Sequence, residues 1–245
     1  MTRLPRLHLG VASALLVALL PLASSVRTAR STARTNVESG GALDGLFAVR
    51  MSDSMPGRAA RRQRIAQGAA GTYIGEILAE RDSALARWPD RGDAPLTVWI
   101  QPAATIRGWS DSYVDEVRDA FTQWDTLHLP VHFTFTGDSS AAEVHVTFVE
   151  QFNEEISGRT LWSRDDSGWI TDADIVLAVF HHAGPRLDDE AMRAMAMHEV
   201  GHLLGLDHTV NLGSIMASKV RVRTLSAADR ATVRLLYTLP PGGVR

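Results

Sequence analysis

Hydrophobic and polar positions fall into short patterned blocks along the chain. The first block, about Leu9 to Leu22, is apolar on every face, with Arg3 and Arg6 before it and the small residues Ala23, Ser24 and Ser25 after it. That order predicts an export signal peptide over residues 1–25, with a retained anchor as the alternative. The run is short beside the roughly 20 residues a membrane span needs, and Pro21 interrupts it. From Val26 to about Ala70, Ser, Thr, Ala, Gly and Arg dominate and large apolar residues are few. Residues 26–71 therefore read as a poorly ordered linker or pro-segment. Within them Arg58, Arg61, Arg62 and Arg64 read as a solvated charge run, or as a processing site.

A patterned domain follows over residues 72–240. Tyr73, Ile77, Leu78, Leu85 and Trp88 fall near helical spacing and predict one helix ended by Pro89. Leu96–Ile100 (LTVWI) is β-branched and aromatic, hence a strand. Ser110–Leu127 carries Val114, Val117, Phe121 and Trp124 three or four apart, the stripe of a long amphipathic helix. Strands are expected at Val131–Phe135, Glu143–Val149 and Ile170–Val179, with a shorter one at Gly158–Ser163. Asp188 can cap a helix running through Met192, Met195, His198 and His202 to about Leu204. Ser226 and Asp229 have the spacing of a capping box that opens a last helix ending near Tyr237. The order is mixed, and the expected class is α+β.

Composition narrows the chemistry. With 245 residues, 45% of them hydrophobic and 22% charged, the chain can form one cored domain with appendages. A net charge of −3 supplies no broad attraction to nucleic acid or to anionic membranes. No nucleic-acid partner is expected, the chain is expected to be a monomer, and any membrane contact is confined to an N-terminal segment kept as an anchor. There are no cysteines, which excludes disulfides, thiolate ligands and a cysteine nucleophile. A metal site must then come from His, Asp, Glu or backbone oxygens.

Residues 198–208 read HEVGHLLGLDH. On a helix His198 and His202 project from one face about 5–6 Å apart, so their nitrogens can reach one ion. Glu199 points about 100° round the helix from His198, where it can border the open side of that metal. Gly205 allows the positive φ of a sharp turn, which can swing His208 toward the same ion. Three neutral histidines and one open position are the pattern of a catalytic zinc, with Glu199 as general base toward a metal-activated water.

The pattern HExxHxxGxxH, followed by Met216 in Ser214-Ile215-Met216, resembles the metzincin metallopeptidases. Thr209 after the third histidine, the lack of a tyrosine just after Met216, and the ending LSAADRATVRLLY are most similar to the matrixins. The resemblance implies a zincin-like fold, in which a twisted mixed sheet with an antiparallel edge strand lies above an active-site helix and a C-terminal helix. It implies one catalytic zinc ion, Met216 as a hydrophobic floor beneath it, and a peptidase whose partner is a protein or peptide; with the N-terminal signal, that enzyme is expected to be secreted or held in the cell envelope. It also implies that an edge strand carrying Thr160, Leu161 and Trp162 pairs with the substrate by β-augmentation. The specificity pocket should be walled between Thr209 and Arg221, with Leu212 and Val220 as its apolar side. The chain departs from the resemblance in two ways. The pro-segment cysteine that blocks zinc in secreted animal matrixins is absent, and the loops for structural zinc and calcium are not recognisable. His145, His181 and His182 for a second zinc, and Asp165, Asp166, Asp172 and Asp174 for calcium, remain as candidates without ligand spacing. A zinc-binding module of the same fold without turnover is the alternative, against which Glu199 counts because metal binding alone needs no carboxylate there. A non-enzymatic envelope protein would bind no stoichiometric zinc.

Overall fold

The computed structural model describes residues 55–243 except 82, 93 and 183. The expected export signal and most of the expected linker lie outside the described residues. Among the described residues no helix is long and apolar enough to cross a membrane.

Helices α1 (Met55–Gly68), α2 (Ile74–Glu80), α3 (Ser112–Asp125), α4 (Asp189–Leu203) and α5 (Ala227–Tyr237) alternate with strands β1 (Ala84–Leu85), β2 (Leu96–Ile100), β3 (Phe133–Thr136), β4 (Val144–Val149), β5 (Gly158–Arg164), β6 (Ile170–Ala178) and β7 (Gly242–Gly243). Five strands form one sheet in the order β3-β2-β4-β6-β5. The first four are parallel, and β5 pairs antiparallel with β6 at the edge, Thr160 opposite Ile175 and Trp162 opposite Ala173. In β2 and β4 buried and half-buried residues alternate, the period-2 pattern of strands with one face on a core. The sheet meets α3 at β3 and α4 at β5 and β6, and the two helices pack on each other, with the Trp124 indole donating to the Met197 carbonyl at 2.9 Å. The class is α+β, as expected.

Two expectations are corrected. The helix read from Tyr73 to Trp88 stops at Glu80. Ser83 takes a left-handed φ of 64°, and Leu85 lies in β1, paired with β7. Both Leu85 and Trp88 are buried, but from extended chain, so the helical spacing there was coincidental and pairing with a distant strand decided the conformation. The stretch read as poorly ordered up to residue 71 contains α1 over residues 55–68. Helix α1 lies against α5: Arg64 donates to the Thr238 carbonyl, Arg61 is buried and donates to the Gly243 carbonyl, and a Cβ on Gly68 would sit 2.6 Å from Leu235. Smaller shifts concern ends only: Val131 is buried but precedes β3.

Candidate metal centre and active site

Helix α4 is capped by Asp188, whose side chain accepts from the Ala191 N–H, and Asp189 and Glu190 in its first turn suit the positive end of the helix dipole. Its middle is buried, and the burial includes His198 and Glu199. His198 and His202 bring their Nε2 atoms to 3.1 Å from each other. The chain then turns at Gly205, φ 96°, where a Cβ would meet the Ala86 carbonyl oxygen at 2.1 Å; conformation and space both require glycine. Beyond this turn His208 places its Nε2 3.3 Å from both of the others.

The outer nitrogens decide the tautomers. His198 Nδ1 donates to the Ile215 carbonyl at 2.7 Å and His202 Nδ1 to the Leu206 carbonyl at 3.1 Å. A neutral imidazole that donates from Nδ1 carries a bare lone pair at Nε2. Burial holds His198 down to about 4. Burial and the two neighbouring imidazoles lower His202 as well, so both rings are neutral near pH 7, the form that binds metal. Lone pairs facing one another this closely repel unless a cation lies between them. A tetrahedral ion holding nitrogens at about 2.0–2.1 Å separates them by roughly 3.3 Å, which is the spacing found. Imidazoles alone, with no thiolate, also suit zinc with an open fourth position. The residues present fit the ion.

Glu199 occupies the next position on the helix. Its Oε2 accepts from the Thr160 hydroxyl at 2.7 Å, and its Oε1 lies where a Cβ on Gly158 would stand, 2.2 Å away. The base of β5 is therefore shaped around this carboxyl. Burial pushes its pKa up to about 7, against the lowering effect of the Thr160 hydrogen bond. A carboxyl titrating near neutral pH is suited to both accepting and returning a proton.

Below the histidines, Met216 is fully buried and its sulfur fills the space a Cβ on Gly201 would take, 2.3 Å away. The turn that carries it is pinned by Asp229, which accepts from the Ser214 hydroxyl, the Ile215 N–H and the Ser226 N–H. In front of the histidines lies an open cleft of about 1120 Å³. Thr160, Leu161 and Trp162 of β5 line one side, and Leu187, Ala191, Met195 and Val220 are among its apolar residues. Leu161 points largely to solvent at 59% exposure.

Not every candidate joins the site. Leu212, expected as a wall, is exposed and does not line the cleft. It rides a tight turn in which Ser214 N–H donates to the Asn211 carbonyl and Gly213 N–H to the Asn211 side chain. His181 and His182 line the cleft, but their Nδ1 atoms face Ser157 and the Phe152 carbonyl. His145 lies on β4 with Nε2 on the Ser139 carbonyl, and its Nδ1 is 3.7 Å from Asp174. Asp165 accepts from the Ser167 and Trp169 N–H groups of its own turn. Among the described residues His198, His202 and His208 form the one group of three or more such side chains whose ligand atoms converge. Sequence reasoning missed Gly158, Gly201 and Asp229 as parts of the site. Gly201 stood inside the histidine motif and Asp229 inside the capping box, but neither pattern marks a contact with the Met216 turn.

The profile of the matrixin peptidases matches residues 88–238. Metalloendoproteinase 1 of Glycine max is 24% identical over 175 residues, which cover 63% of this chain and 54% of that relative. The chain thus spans about half the length of the curated relative it matches. With the profile covering more than half of the sequence and the histidine helix, turn and edge strand all in place, the chain belongs to the matrixin family.

Proposed function

We propose that the protein is an exported zinc-dependent endopeptidase, with His198, His202 and His208 as zinc ligands and Glu199 as general base. The observation that carries this is the pairing of three converging imidazole lone pairs with a buried carboxyl one position along the same helix. Zinc, when bound, supplies a Lewis acid that acidifies water and polarises a peptide carbonyl. Glu199 accepts the proton of the attacking water and hands it to the departing amine. Thr160 holds one of its oxygens, and the missing side chain at Gly158 leaves room for the other. The outer edge of β5 offers backbone groups to an extended peptide, which would bring a scissile carbonyl over the histidines. The bonds from Nδ1 to Ile215 and Leu206 keep two ligands in the tautomer and orientation that zinc requires. Export is supported by the N-terminal charge, apolar run and small residues.

The test is paired: the purified chain and Glu199→Ala, each measured for bound zinc and for hydrolysis of casein and of a mixed peptide library. The expected outcome is one zinc in both and a loss of hydrolysis of at least about 100-fold in the variant. Zinc without hydrolysis in the parent would instead identify a binding module. A folded parent that takes up no zinc would overturn the reading.

A further inference from the structure

The linker between the second and third histidines, Gly205–Asp207, is gripped by one side chain from outside the matrixin-matched region. Arg81, just past the end of α2, donates from Nη1 to the Gly205 carbonyl at 2.9 Å, from Nη2 to the Leu206 carbonyl at 3.0 Å and from Nε to Asp207 Oδ2 at 2.8 Å. Every nitrogen of the guanidinium is used, on three consecutive residues. Both members of the ion pair are largely buried, with side-chain exposures of 14% and 17%, so it is little screened by solvent.

Each grip leads to a ligand. The Leu206 carbonyl that accepts from Arg81 also accepts from His202 Nδ1. The Asp207 carboxylate that accepts from Arg81 through one oxygen accepts the His208 backbone N–H through the other, at 2.9 Å. Gly205 is the turn itself. The guanidinium carbon also stands 5.1 Å from the Trp162 ring centroid, which ties the grip to the strand at the cleft's edge. Two further contacts from the same segment support the surroundings: Glu76 accepts the Val210 N–H at 2.8 Å, and the Tyr73 hydroxyl donates to Asp229 at 3.2 Å.

We propose that Arg81 is a positioning residue for the metal, a brace that holds His202 and His208 in ligating geometry before zinc arrives. Three lone pairs at 3.1–3.3 Å spread apart unless something holds them, and a loop of three residues around a glycine is a weak holder by itself. A planar fork with fixed donors can bind three successive groups at once; the single nitrogen of lysine cannot span them. The role rests on the reading of the three histidines as zinc ligands.

The experiment measures zinc affinity by competition with a chromophoric chelator, and the visible spectrum of the cobalt(II)-substituted protein, for the full chain, Arg81→Met, Arg81→Lys and Asp207→Asn. Loss of an outer partner of a metal ligand weakens binding by about 10- to 100-fold. Arg81→Met should fall in that range with an altered cobalt spectrum, and Arg81→Lys should recover only part of the loss. Asp207→Asn, which can keep an oxygen facing His208 but then turns its amide NH2 toward the Arg81 Nε–H, should also weaken binding. An Arg81→Met protein that melts earlier but binds zinc within two-fold of the parent, with an unchanged spectrum, would show a merely structural role and overturn the brace. Should Arg81→Met not fold, Arg81→Lys and Asp207→Asn decide, and parent-like affinity in both is the overturning result. A parent that binds no zinc overturns the reading of the site as well.

Discussion

Glu199 combines two properties that rarely coexist, an ionisable carboxyl and nearly complete burial. Without a metal beside it, burial raises its pKa to about 7, above the ordinary glutamate value of about 4.3. A carboxyl raised in the folded state contributes stability that is fully present below its unfolded pKa and is lost as pH climbs through its folded pKa. His198 works in the opposite sense, since its folded pKa of about 4 makes the protein gain stability as pH rises toward about 6.5. The two slopes overlap, so the difference between parent and Glu199→Gln isolates the carboxyl. In zinc-free protein that variant is expected to match the parent near pH 4 and to exceed it by about 3 kcal/mol above pH 8. Thermal denaturation in chelator across that pH range measures it. His198, Glu199 and His202 were legible because spacing on one helix brings them together, and His208 because Gly205 marks the turn that returns it. Arg81 was not, since its partners lie some 125 positions away and nothing local marks an arginine as a brace. Thr160 was read only as an edge residue, for the same reason: its hydroxyl meets Glu199 through the packing of β5 on α4.

Among elements, helix α5 does more than close the domain. Its capping box, Ser226 with Asp229, was visible in the sequence, but the same Asp229 carboxylate also receives donors from the Met216 turn and from Tyr73. Asp229→Asn would turn an acceptor oxygen into a donor among donors, in a site with no solvent. The expected loss is about 3 kcal/mol, read by urea denaturation of the zinc-loaded protein, together with weaker zinc binding as the Ile215 carbonyl behind His198 loosens. Elements whose periodicity was long or bounded by caps, such as α3, α4 and β4, could be read directly. The block from Tyr73 to Trp88 could not, because its apolar spacing suits a helix while Ser83 and the pairing of β1 with β7 impose a turn and a strand.

At the scale of the whole molecule, the matrixin-matched residues 88–238 do not carry all of their own support. Tyr73, Ile74, Ile77 and Leu85 precede them and are buried in the common core. Burying four such side chains stabilises by roughly 6–12 kcal/mol, comparable with the entire stability of a domain, about 5–15 kcal/mol. A chain beginning at Trp88 is therefore expected to lose its cooperative melting transition, while one beginning at Met55 retains it. Calorimetry of the two distinguishes them. The α+β class could be anticipated from the sequence, and the antiparallel edge strand from the resemblance to the matrixins; this dependence could not, since it lies in contacts between the two ends of the domain.

The contacts between those ends also impose a timetable. Arg87 donates to the Leu239 carbonyl, Tyr73 to Asp229, and β1 waits for β7. A chain made from its N-terminus holds an unfinished centre until α5 has emerged, because until then the turn beneath His198 lacks the Asp229 carboxylate that accepts from Ser214 and Ile215. Helix α5 thus acts as a clock on the histidine centre, whose floor is finished only when Asp229 has folded back onto the Met216 turn.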